Sequence, residues 1–178
     1  MNETAEQYIA RITGFVGSDD PLSVIATTPA KLAEMLQGVS EAETKFSPAP
    51  GKWSIRQQVA HLTDAEYAMS TRMRWAAAEP GKAIVAFDQD KWAAAAKYHA
   101  IPLELSLATF TAARNWTLAL LRGLTPAQWD GFVVHEERGR ETVRHLVKMM
   151  AGHDRNHLKQ IAELRAATAA GTPRAGQR

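Results

Sequence analysis

The chain has 178 residues with 46% apolar and 22% charged side chains, an ordinary balance for one domain able to bury a core. It contains no cysteine, which excludes disulfides and requires any transition-metal site to use histidine and carboxylate ligands. A net charge of +2, with basic residues spread along the chain, argues against a nucleic-acid partner.

The start Met1-Asn2-Glu3-Thr4-Ala5-Glu6 is acidic and lacks the apolar core of a signal peptide. No apolar run approaches the ~20 residues that cross a bilayer, so a soluble protein of the cytoplasm without a membrane role is expected. The spacing of Tyr8, Ile9, Ile12, Phe15 and Val16 predicts a first helix over about Thr4 to Val16. Asp20-Pro21 and Thr28-Pro29 both read as a cap followed by proline at the first helical position. The second of these leads into Pro29 to Gln37, with Gly38 as the stop. Ser47-Pro48-Ala49-Pro50-Gly51 cannot be helical and is a loop.

Ser54 and Gln57 have capping-box spacing and open a helix that runs to about Ala78. Lys82 to Pro102 reads as a long connection with a helical turn around Trp92, in which Asp88 and Asp90 form a capped turn. A third long helix covers about Leu103 to Leu121, a short turn occupies Thr125 to Trp129, and Val133 to Gly139 reads as an exposed excursion. The last helix spans roughly Thr142 to Ala167, about 39 Å at 1.5 Å per residue. No strand and no internal repeat is expected. The predicted fold is an all-α four-helix bundle over 1–168, followed by a disordered tail over 169–178.

The histidines carry the chemistry. In the last helix His157 falls inside the apolar stripe and His153 at its edge, one turn apart at i, i+4. Two imidazoles on one inward face are either hydrogen-bonded core residues or ligands of one divalent ion. His61 lies on the shoulder of its own helix's stripe, and a bundle can bring it opposite that pair. Three neutral imidazoles leave coordination positions open, the pattern of catalytic zinc sites. His145 points away from its stripe, and His99 and His135 sit in irregular segments where a surface position is expected, with a pocket mouth as the alternative for His135.

Two segments together resemble the DinB/YfiT-like family. Trp53-Ser54-Ile55-Arg56-Gln57-Gln58-Val59-Ala60-His61-Leu62, followed by Asp64 and Glu66, is similar to its first signature. Gly152-His153-Asp154-Arg155-Asn156-His157-Leu158-Lys159-Gln160-Ile161 is similar to its second. Phe87-Asp88-Gln89-Asp90-Lys91-Trp92 resembles one branch of the family, and the likeness extends to about Arg165. The resemblance implies a four-helix bundle and a divalent metal ion (nickel, zinc, iron or manganese) on His61, His153 and His157. It also implies a homodimer. Relatives are described as metal-dependent hydrolases, and some use low-molecular-weight thiols as cosubstrates in transferase or isomerase reactions.

The expected function is therefore a metal-dependent enzyme acting on a small molecule, by hydrolysis or with a thiol cosubstrate. The alternative is a non-catalytic metal-binding or stress-response module. Asp154 and Gln160 are candidates to orient the ligands, and Asp64 and Glu66 are the nearest candidates for a general base.

Overall fold

The computed structural model describes residues 3–171. Four long helices form the frame: α2 (Pro21–Leu36), α4 (Ile55–Ala78), α6 (Leu103–Arg122) and α8 (Val143–Gly171). Helix α4 packs on α6 and α8, and α2 closes the ring against the same two helices. This is the expected bundle. A further helix, α1 (Ala5–Gly14), lies against α8. Short helices α3 (Glu41–Lys45), α5 (Gln89–Ala95) and α7 (Pro126–Trp129) occupy the connections. Among the described residues no helix is long and apolar enough to cross a membrane.

Local chemistry sets most of these boundaries. The Ser54 side chain accepts from the Gln57 N–H and the Gln57 side chain accepts from the Ser54 N–H, so α4 begins in a complete capping box. Ser40 and Glu43 start α3 the same way. Two large apolar clusters make up most of the core, and a small third one gathers Ala60, Ala93 and Tyr98. One of the large clusters gathers Val24, Ile25, Met73, Leu118, Leu146 and Met150. The other gathers Leu32, Val59, Phe110, Ile161 and Leu164.

The structure corrects three sequence expectations. Thr28-Pro29 does not start a helix: α2 runs unbroken through Pro29. Proline removes the N–H that would bond the carbonyl of Ile25, and that carbonyl accepts from Arg114 instead, at 2.8 Å. Next, Lys82–Ile84 (β1), Phe132–His135 (β2) and Gly139–Thr142 (β3) form a small sheet ordered β1-β2-β3. β1 pairs with β2 in parallel and β2 with β3 antiparallel. The segment Val133 to Gly139 is therefore half of a hairpin packed on α4, with Val133 and His135 buried. Finally, α8 continues to Gly171, beyond the expected end near Ala167; of the expected tail, 172–178 lie outside the described residues.

One glycine decides how closely α1 approaches α8. A Cβ on Gly152 would stand 1.9 Å from the carbonyl oxygen of Ile12, so only glycine permits this crossing. The crossing lies one residue before His153 and places Tyr8 of α1 on the wall of the site.

Candidate metal centre

His61 projects from the second turn of α4, and His153 and His157 project from successive turns of α8. Their Nε2 atoms converge. Nε2 of His153 lies 3.0 Å from Nε2 of His61 and 3.0 Å from Nε2 of His157, and all three ligand atoms fall within 4.8 Å of one another. Ligands at ~2.0–2.1 Å from one ion stand roughly 2.9–3.4 Å apart at coordination angles of 90–109°. The two shorter separations match that spacing.

Protonation favours the same reading. Burial, and then the neighbouring His153, push the His61 ring down to about 3. Burial, and then Arg114, push His153 down to about 4. His157 is also held well below the ordinary histidine value, by burial first and then by the other two rings. All three are neutral at pH 7 and so offer lone pairs. For His157 the tautomer is set as well. Its Nδ1 donates to the side-chain oxygen of Gln58, so its proton sits on Nδ1 and its Nε2 presents only a lone pair. The donor set thus fits a divalent cation. His61 packs against Trp53, ring centroids 4.8 Å apart, and its buried Nδ1 has no hydrogen-bond partner.

Beneath the histidines lies a buried ionic network. Arg114 is 1% exposed and holds two carboxylates. It donates to Glu66 at 2.7 Å and to Asp154 at 2.6 and 3.1 Å. Glu66 also accepts from the hydroxyl of Thr117 at 2.5 Å. Burial works to discharge Arg114, and the two carboxylates outweigh it and raise its pKa.

This network corrects the expected roles of several residues. Asp154 is tied to Arg114 rather than to a ligand ring. Glu66 is tied to Arg114 and Thr117, and Asp64 accepts from the hydroxyl of Tyr98 at 2.5 Å, so neither stands free as a general base. Gln160 lines a cavity beside the site. The side chain that orients one of the three candidate ligand rings is Gln58, three residues before His61 on α4. Its place in the first signature was the available signal, but sequence alone does not reveal that it reaches His157, ninety-nine residues away. Asp88 caps α5, accepting from the N–H groups of Asp90 and Lys91, as expected for a capped turn.

Two cavities meet at His153. One, of about 590 Å³, is bounded by His61, Glu66, Arg72, Arg114 and His135. The other, of about 640 Å³, is bounded by Trp53, Gln58, His157 and Gln160. Both volumes suit a small molecule. His135, expected at the surface, is 1% exposed and lines the first cavity, because the β1–β2 pairing carries it inward. His99 is exposed, and His145 is half-buried near Glu141.

Comparison with known proteins agrees with this architecture. The sequence model of the DinB superfamily matches residues 25–161. A protein of Oceanobacillus iheyensis named "Putative metal-dependent hydrolase" is 30% identical over 140 residues, covering 79% of this chain and 80% of that one. One of the same name from Geobacillus kaustophilus is 28% identical over 145 residues, covering 81% and 82%. The solved structure of YfiT from Bacillus subtilis, described as a probable metal-dependent hydrolase with an unusual four-helix bundle topology, superposes with a TM-score of 0.78. It is 22% identical and covers 94% of this chain and 91% of its own.

Proposed function

The chain belongs to the DinB superfamily, and from that premise we propose that it holds one divalent metal ion on His61, His153 and His157 and acts as a metal-dependent enzyme on a small molecule. The observation that carries this reading is the convergence of three neutral Nε2 atoms, on buried His61 and His157 and half-buried His153, at the meeting point of two cavities. A divalent ion there supplies Lewis acidity, polarising a carbonyl or phosphoryl group and making a water or a thiol more acidic. The protein's own groups position and insulate. Gln58 fixes the His157 tautomer, Trp53 packs on the His61 ring, and the Arg114 network braces α4, α6 and α8 behind the ligands.

The reaction is hydrolysis or a transfer that uses a low-molecular-weight thiol; with no cysteine in the chain, a thiol nucleophile must come from a cosubstrate. The metal content of untagged protein, beside His61→Ala and His157→Ala, tests the centre. Near-stoichiometric nickel, zinc, iron or manganese that is lost in both variants supports it; a wild type that takes up no added ion sinks it. Ester, amide and lactam probes with and without an added low-molecular-weight thiol then separate the two reactions. Metal-dependent thermal stabilisation without turnover of any probe favours the alternative, a non-catalytic binding module.

A homodimer belongs to the same reading. Tyr67 on α4 and Leu105 and Trp116 on α6 are 50%, 58% and 71% exposed, and apolar side chains on these adjacent helices suit contact with a second copy. Sedimentation at micromolar concentration checks it: a monomer throughout removes the dimer from the proposal.

A further inference from the structure

The cavity bounded by His61 and His135 climbs one face of α4. His61, Ala65, Met69 and Arg72 all line it, and eleven residues of helix span about 16 Å. At the end away from the histidines its wall includes Arg72, His135 and Arg138, none of which the metal chemistry uses.

Arg72 is 7% exposed. It donates to the carbonyl of Val85 at 2.9 Å, touches the Met69 sulfur at 3.9 Å and lies 5.6 Å from the Phe87 ring centroid. Among the described residues it forms no ion pair with a carboxylate. The sheet brings His135 to the same place, because Ile84, the residue before Val85, is the register partner of His135. Nδ1 of His135 accepts from the Glu137 N–H at 3.2 Å. The neutral ring therefore carries its proton on Nε2, and that buried donor has no partner.

Arg138 is held by the buried Glu141 at 2.7 and 3.2 Å, which offsets its charge. Burial first, and then Arg138, hold both Arg72 and His135 below their ordinary protonation ranges, with Glu141 acting in the opposite direction on both. Glu3 and Glu137 also border the cavity, both exposed at its rim, with Glu3 paired to Arg11. A buried guanidinium with no direct carboxylate partner and an orphaned buried N–H on one cavity wall are costly groups that an anion would satisfy together.

We propose that Arg72 and His135 form an anion subsite, so that the substrate of the histidine centre carries a carboxylate, phosphate or sulfonate at the end remote from its reacting group. The assignment of the reacting end rests on the metal reading above; the anion contact does not.

The test uses straight-chain hydroxamates of increasing length, which anchor on a metal, each ending either in a carboxylate or in its methyl ester. Metal-loaded wild type should bind the acids at least ~10-fold more tightly than the esters over part of the length series. Arg72→Gln should reduce that advantage to less than ~2-fold with metal content and ester affinity unchanged, while Arg72→Lys retains part of it. Equal affinity for acid and ester at every length, or an undiminished advantage in Arg72→Gln, overturns the subsite. If Arg72→Gln does not fold, His135→Phe decides by the same criterion.

A second arm needs no metal: thermal denaturation of His157→Ala in inorganic phosphate against sodium chloride of equal ionic strength. Phosphate should stabilise this variant and not the His157→Ala, Arg72→Gln double variant. Should the wild type hold no metal, the metal reading falls and this arm alone judges the subsite. Stabilisation that requires Arg72 upholds it, and indifference to phosphate overturns it.

Discussion

Arg114 donates through Nη1 to the carbonyl of Ile25 at 2.8 Å, the carbonyl that Pro29 leaves without its helical partner. One guanidinium on α6 thus repairs α2, binds Glu66 on α4 and binds Asp154 on α8, so all four bundle helices meet at a single side chain. Replacing it strands two buried carboxylates and one carbonyl. Arg114→Leu should cost about 3–5 kcal/mol in urea denaturation. In a Pro29→Ala background residue 29 regains an N–H for Ile25, and the cost of Arg114→Leu should fall by about 1 kcal/mol. Equal costs in both backgrounds would show that the repair of α2 has no energetic weight.

Gln58 holds His157 in the tautomer that exposes its Nε2 lone pair. Gln58→Leu keeps the volume and removes the acceptor. Metal affinity, measured by competition with a chelator, should drop about 10–100-fold while helical circular dichroism is unchanged. Unaltered affinity would mean that the ring is oriented by packing alone.

Burial keeps the His61 and His153 rings neutral, down to about 3 and about 4, whereas in the unfolded chain they titrate near ~6.5. Between those limits the unfolded state binds more protons, so stability rises with pH there. The metal-free protein should therefore be most stable above pH ~6.5 and lose on the order of 1 kcal/mol per pH unit for each ring as pH falls toward about 4. Urea titrations from pH 8 to 4.5 measure this slope, and His61→Gln should make it shallower. Stability that holds constant or grows below pH 6 contradicts the neutral triad.

Gly152→Ala sets a methyl against the Ile12 carbonyl. Neither backbone can yield without parting α1 from α8, so a loss of at least about 3 kcal/mol is expected by thermal or urea denaturation. Because the clash sits beside His153, metal affinity should weaken in the same variant. A near-neutral substitution would indicate that α1 is loosely docked.

The long helices and the residues beside their caps were legible in the sequence because both signals are local. Apolar spacing of 3.6 residues needs only the helix itself, and the Ser54–Gln57 box needs only four residues. The His153–His157 pair was legible for the same reason, since i, i+4 places both rings on one face whatever the rest of the chain does. Pro29 misled because its local preference for a helix start was overridden by Arg114, 85 positions further along the chain. The sheet was missed because its strands are three and four residues long and β1 pairs with β2 across about fifty residues; such short segments carry no period of their own.

What the sequence determined by itself was therefore the class of the fold and that His153 and His157 share one inward helix face, properties written in side-chain period and caps. Tertiary structure alone decided that His61 meets a pair 92 residues away, that Gln58 rather than Asp154 holds the His157 ring, and that His135 turns into a cavity beside Arg72. Those relationships are made by helices packing across the bundle and by a parallel strand pair, and no stretch of chain records which distant groups its own geometry will meet.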